Sequence, residues 1–83
     1  MKYYVFSRYR QNIDILWLNK QIKNNPKSFK TLEEAKQEYI RISKIGLDFL
    51  DSDYDIFGLS KGGTWYRFFT GSWGIVTASV KVV

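Results

Sequence analysis

Asp48, Asp51, Asp53 and Asp55 stand close together in the middle of the chain, and their carboxylates are the groups best spaced to hold a divalent cation. Asp51-Ser52-Asp53-Tyr54-Asp55 matches the opening five positions of a calcium loop, where oxygens at alternate residues wrap the ion. Such a loop next needs Gly for its sharp turn and, at its end, a bidentate Glu. Here those places hold Ile56 and Gly62. The cluster is therefore expected to be a solvated acidic loop joining a helix to a strand, with a docking point for a basic partner as the alternative.

Covalent chemistry is poorly supplied. The chain has no His and no Cys. That removes the usual general base at neutral pH, the commonest metal ligand, thiolate nucleophiles and zinc–sulfur sites. Ser60-Lys61 is a Ser–Lys pair, but a polar residue beside Lys and two glycines is what a turn requires. Lys61-Gly62-Gly63-Thr64 lacks the spacing of a phosphate-binding loop, and its glycines lie between two strand-like runs rather than before a helix. The expectation is a protein that is not an enzyme and takes no cofactor or metal.

Recognition chemistry is better supplied. Six Phe, six Tyr and three Trp occur among 83 residues. Each such ring can bury ~150–250 Å². The formal net charge is +5, and it is unevenly placed. Residues 1–30 carry seven basic groups (Lys2, Arg8, Arg10, Lys20, Lys23, Lys27 and Lys30) against Asp14 alone; residues 31–83 carry six basic and seven acidic groups. A basic N-terminal third suits a partner of negative potential, whether nucleic acid or an acidic protein surface; a solvated face that keeps a small protein soluble is the plainer explanation. Cations interleaved with rings, as in Tyr3, Tyr4, Phe6, Arg8, Tyr9 and Arg10, are what single-stranded nucleic acid needs. Lys61 to Phe68 echoes the RNP1 pattern of RNA-binding sheets in its Lys, its first Gly and two aromatic positions, but lacks the third-position ring and the small fourth residue. Core packing would account for the same aromatics.

The elements that must position these groups read as follows. Residues 3–9 are rich in β-formers and predict a strand. Residues 13–19 fit either a second strand or a short helix capped by Asn12, because a short apolar run does not settle its own period. Asn24-Asn25-Pro26 breaks the chain. Thr31-Leu32-Glu33-Glu34 has the form of a capping box, and Leu32, Ala35, Tyr39, Ile42 and Ile45 then recur at helical steps, with Gly46 placed to end the helix. Residues 54–60, 64–70 and 73–82 predict three strands, with a turn at Lys61-Gly62-Gly63, a two-residue turn at Gly71-Ser72, and Gly74 as a bulge. The fold class is α+β: a small antiparallel sheet, made of an N-terminal strand or hairpin and a C-terminal three-strand meander, with one main α-helix in a single domain.

The Gly71-Ser72 turn would set Thr70 opposite Trp73, Phe68 opposite Ile75 and Tyr66 opposite Thr77 on one face. Trp65, Arg67, Val76, Ala78, Val80 and Val82 would then share the other, where Tyr39 and Ile42 of the helix are expected to pack. One helix covers one face. Tyr66, Phe68, Trp73 and Ile75 would need a second helix from residues 13–22, a second copy of the chain, or another macromolecule.

The longest apolar runs fall far short of the ~20 residues a spanning helix needs. Met1-Lys2 leads into Tyr3-Tyr4-Val5-Phe6 and is then broken by Ser7-Arg8-Tyr9, so no signal peptide is expected and a cytoplasmic location is.

Ser28-Phe29-Lys30-Thr31-Leu32-Glu33-Glu34-Ala35-Lys36, followed by a strand such as Tyr54–Leu59, resembles an F-x-T-x-E-E-A pattern of small phage and mobile-element proteins. The resemblance covers about a third of the chain. A composition with nine Lys against four Arg, eight Ile and only two Ala suits an A+T-rich genome. The resemblance implies a phage accessory factor, of the kind that includes anti-CRISPR inhibitors of bacterial defence enzymes. The expected function is a non-enzymatic inhibitor that occludes a larger protein partner, such as a nuclease or nucleoprotein complex. Tyr66, Phe68, Trp73 and Ile75 would anchor it, and Arg8, Arg10, Lys20, Lys23 and Lys27 would steer it. Direct single-stranded DNA or RNA binding is the main alternative, and a homodimeric structural module the third.

Overall fold

The computed structural model describes residues 1–7, 12–43, 54–70 and 74–83. Six elements follow in the order β1 (Lys2–Ser7), α1 (Ile15–Asn24), α2 (Leu32–Ser43), β2 (Tyr54–Leu59), β3 (Trp65–Thr70) and β4 (Val76–Lys81). The strands form one antiparallel sheet in the order β1-β2-β3-β4. The fold is α+β, as expected, with two helices rather than one main helix.

Residues 15–24 are helical, which resolves the ambiguous run. Its cap is Asp14, not Asn12: the carboxylate accepts from the Trp17 N–H at 2.8 Å, and Asp14 itself is extended. An ionised acceptor at a helix N-terminus satisfies an orphan donor and complements the dipole. The helix stops at Asn24, before Pro26. At the second helix the Thr31 hydroxyl accepts from the Glu34 N–H and donates to the Glu34 carboxylate, each at 3.2 Å. The capping box forms, with the Glu closing on the hydroxyl. Ile45, Gly46, Asp48, Asp51 and Asp53 lie outside the described residues.

Side chains alternate across the sheet, so two clusters form on opposite faces. On one, Tyr4, Phe6, Phe57, Trp65 and Val82 surround Leu18 of α1. Trp17 meets Phe6 and Phe57 edge-on, with centroids 6.2 and 5.9 Å apart, and the Trp65 indole N–H donates to Asn19 at 3.3 Å. On the other, Val5 and Ile56 surround Ala35 and Tyr39 of α2, with Leu32, Ile42 and Phe68 at the margin. Ala35 is fully buried, and so small a group lets the helix approach closely. Tyr39 and Ile42 therefore pack on the face opposite to the one expected. The physical reason lies between the helices. Phe29 bridges Tyr3 at the outer edge of β1, its N–H donating to the Tyr3 carbonyl at 2.7 Å and its carbonyl accepting from the Tyr3 N–H at 2.9 Å. The chain crosses the sheet there, so α1 and α2 land on different sides.

Burial falls away along the sheet. Asp55, Ile56, Phe57 and Gly58 are buried in succession, which needs cover on both faces. β3 is half-buried beyond Trp65, and β4 is exposed from Thr77 on. The β3–β4 register is also displaced by four residues from expectation: Phe68 lies opposite Ser79 and Tyr66 opposite Lys81. Phe69 faces Ala78 while Thr70 faces Val76, which leaves Thr77 as the extra residue of a bulge. Its hydroxyl donates to the Phe69 carbonyl at 3.2 Å. The bulge is thus at Thr77 rather than Gly74, whose φ of +74° instead turns the chain into the strand. Because the displacement is even, Ala78, Val80 and Val82 keep the face of Trp65, as expected. Val76, beyond the bulge, moves to the other. The Gly71-Ser72 turn lies outside the described residues, but the pairing expected from it does not occur.

The second expected turn forms. The Gly63 N–H donates to the Ser60 carbonyl at 3.0 Å, Gly63 takes φ +87°, and the Ser60 hydroxyl accepts from the Thr64 N–H at 3.0 Å. Ser60 is therefore engaged in closing the turn.

Candidate functional site

The residues expected to act together are divided by the sheet. Tyr66 and Phe68 are on the α2 side and half-buried. The Phe68 ring lies 5.8 Å from that of Tyr3 and packs at the margin of the α2 cluster, beside Gly58, where a side chain would collide with Phe68 and Met1. Phe68 is thus a core ring more than a free anchor, because α2, which was expected on the other face, packs on this one. Ile75 is 59% exposed, just before β4. Lys20 and Lys23 are exposed on α1, on the far side of the sheet from Phe68. Lys27 follows in the crossing segment, with its ammonium 5.4 Å from the centroid of Phe29. Trp73, Arg8 and Arg10 lie outside the described residues. Among the described residues, the sheet therefore separates Lys20 and Lys23 from Tyr66 and Phe68.

Helical geometry builds a different group. Leu18 and Ile22 face the sheet. Leu16, Lys20 and Lys23, spaced by four and three, fall on the opposite stripe of α1. Leu16 is 81% exposed, the most open large apolar side chain on this helix. Two lysines thus follow a bare aliphatic tip along one stripe, while Lys27, past the helix end, has its ammonium over Phe29 and its charge felt by Glu38 of α2. Such a group offers ion pairing and one desolvating contact. Sequence reasoning missed Leu16, since the stripe can be read only once residues 15–24 are known to be helical.

The rings tell the complementary part. Twelve of the fifteen aromatic residues are described, and every one of the twelve is buried or half-buried. Among the described residues the exposed large apolar groups are Met1, Ile15, Leu16, Ile75, Val80 and Val83, with no ring among them.

Asp55 is not a loop residue. It is buried in β2, and Arg67 of β3 donates to its Oδ2 from Nε at 2.8 Å and from Nη2 at 2.7 Å. The Arg67 guanidinium also lies 4.4 Å above the Phe69 ring. The fourth aspartate of the acidic cluster therefore neutralises a cation inside the sheet and is not available to a basic partner. Among the described residues no three His, Cys, Asp or Glu gather to hold a metal ion. A shallow groove between Phe29 and α2 is lined by Glu34, Gln37, Glu38 and Arg41. There Arg41 donates to both Glu38 oxygens at 2.8 Å, and these hydrogen bonds, helped by the cationic charge and partly opposed by burial, hold the Glu38 carboxyl below its ordinary value. No described helix is long and apolar enough to cross a membrane.

Comparison with protein-family models, with curated proteins and with solved structures finds no match.

Proposed function

We propose that this chain is a non-enzymatic binding protein of the small phage-inhibitor kind, anti-CRISPR-like in action, which covers part of a larger, negatively charged protein partner in the cytoplasm. The contact is the outer face of α1: Leu16 supplies the apolar anchor, and Lys20 and Lys23 supply the steering charge. The observation that carries it is Leu16 itself. An aliphatic side chain 81% exposed, one turn before Lys20 on the same stripe, gains little from water and nothing from a phosphate backbone, but it fills a pocket on a protein.

Single-stranded nucleic acid is the competing ligand, and the same lysines would serve it. A base-stacking surface needs open rings beside its cations, however, and every described ring is buried or half-buried. The resemblance of residues 28–36 to phage proteins supports the inhibitor class, and the lack of His and Cys supports a binding role.

Leu16→Asp and the pair Lys20→Glu with Lys23→Glu test the proposal, since all three sites are solvent-facing and each variant should keep the fold, which circular dichroism checks. Tagged protein is used for capture from nuclease-treated host lysate, and in parallel is titrated with a labelled oligonucleotide at low and high salt. A captured protein that survives nuclease and is lost in both variants supports the docking face. Oligonucleotide binding that falls steeply with salt and is untouched by Leu16→Asp overturns it in favour of a nucleic-acid ligand.

A further inference from the structure

The sheet ends at β4, and among the described residues nothing bonds to its outer side. The Val82 N–H donates to the Trp65 carbonyl at 2.9 Å. By the alternation of an antiparallel ladder, Val80 and Ala78 also bond inward to β3, so the N–H and C=O groups of Ser79 and Lys81 point outward. Proteins usually blunt such an edge with charge, Pro or a bulge. Here one charge, Lys81, stands within the strand, no Pro does, and the bulge lies at its beginning. Residues 78–82 remain as a regular, open template.

We propose that this edge is the seam of a two-fold dimer, in which β4 of one copy pairs antiparallel with β4 of a second and the two sheets join into one of eight strands. Two-fold pairing fits these residues in one register especially well. With Val80 opposite its own copy, Ala78 meets Val82 and Ser79 meets Lys81, so every residue from 78 to 82 is paired. The outward groups of Ser79 and Lys81 then exchange hydrogen bonds as an antiparallel pair requires. The Val80 pair is of the closer, non-hydrogen-bonded type, where β-branched side chains touch best. Val80 is 45% exposed in the single chain. Lys81 lies against Ser79 and not against a second Lys81, so the seam carries no like-charge contact. The neighbouring Arg67 already has its charge met by Asp55, which leaves the row beside Val80 free of an unpaired cation. A second copy is favoured over a foreign strand because this one edge supplies both halves of the match.

The axis runs normal to the sheet, so each face continues on its own side. Both α1 helices then share one face of the dimer. The seam rests on β4 alone and is independent of what α1 contacts.

Sedimentation equilibrium on the full chain, from about 10 µM to about 1 mM, covers the range expected of so narrow an interface. The mass should rise from 9.8 kDa for one chain towards twice that value. Ser79→Pro should remain at the single-chain mass throughout with an unchanged circular dichroism spectrum, because the N–H it removes is not used within the sheet. Val80→Asp should do the same by placing two carboxylates across the axis. A wild-type mass that stays at one chain at 1 mM overturns the proposal, and so does a dimer that both variants retain. If Ser79→Pro unfolds, Val80→Asp alone decides.

Discussion

The two edges of this sheet are treated differently. At β1 the segment after α1 folds back and bonds through Phe29 to both backbone groups of Tyr3, and the same segment carries the chain to the far face. At β4 no described residue does so. Cover follows the same slope, with β2 buried on both faces and β4 exposed. The difference shows how a short chain distributes its two described helices. α2 packs on β1 and β2, α1 packs on β1, β2 and the Trp65 end of β3, and β4 is left exposed from Thr77 to Lys81.

The sharpest way to break this comparison is to cut into each side. Phe6 is 2% exposed and stacks on Tyr4 and Phe57, with centroids 5.4 and 5.8 Å away. Phe6→Ala should cost about 3–5 kcal/mol in chemical denaturation, enough to unfold a domain of this size. Val80→Ala, measured on dilute protein, should cost under about 1 kcal/mol. Comparable losses would mean that burial does not fall from β1 to β4.

Asp55→Ala comes next. It leaves the Arg67 guanidinium, 23% exposed, without its charged partner in the sheet. A buried cation so abandoned costs ~3–5 kcal/mol, and partial access to water brings the expectation here to about 2 kcal/mol by urea denaturation. Asp55→Ala with Arg67→Met should recover much of that loss.

Phe29→Pro removes the donor that closes the β1 edge. With the half-buried ring lost as well, a loss of about 2 kcal/mol is expected. More tellingly, a second open edge should let the chain assemble beyond the dimer, seen as masses above two chains in light scattering. A variant that is destabilised yet assembles no further would show that the crossing segment is a connection and not a guard.

The smallest effect is a titration. Glu38 has its carboxyl held below its ordinary 4.5 by Arg41, so the pair stabilises the fold above that value and the contribution disappears as pH falls through the lowered one. Arg41 is well exposed, so screening keeps the effect small. The melting temperature of Glu38→Gln should fall short of the wild type by only about 1–2 °C at pH 7, and the gap should close as pH falls through the lowered value.

Much of this architecture is local and was legible. Thr31-Leu32-Glu33-Glu34 announces its own helix start, and the Leu32, Ala35, Tyr39 and Ile42 stripe describes the buried side of α2. Ser60 to Thr64 encodes a turn in three adjacent polar and glycine residues. What escaped is decided at a distance. Residues 13–19 hold too few turns to display a period, and their cap, Asp14, lies inside the run. The side each helix takes depends on Phe29 crossing at Tyr3, a contact 26 residues apart that no periodicity reports. The register of β4 depends on a bulge at Thr77, whereas Gly71-Ser72 and Gly74 suggested a tighter return. Tyr66, Phe68 and Ile75 were grouped on that return and are now unequal: two rings half-buried near α2, one aliphatic group in the open.

Residue-resolved amide hydrogen exchange at two protein concentrations tests the open edge most directly. In dilute solution the amides of Ile56 and Phe57 should exchange only through global unfolding, while those of Ser79 and Lys81 exchange close to the rate of an unstructured chain. Raising the concentration should slow Ser79 and Lys81 and leave Ile56 and Phe57 unchanged relative to the unfolding limit. Rates at Ser79 and Lys81 that are already slow when dilute, or that do not respond to concentration, would contradict an outer side of β4 left free for a second copy.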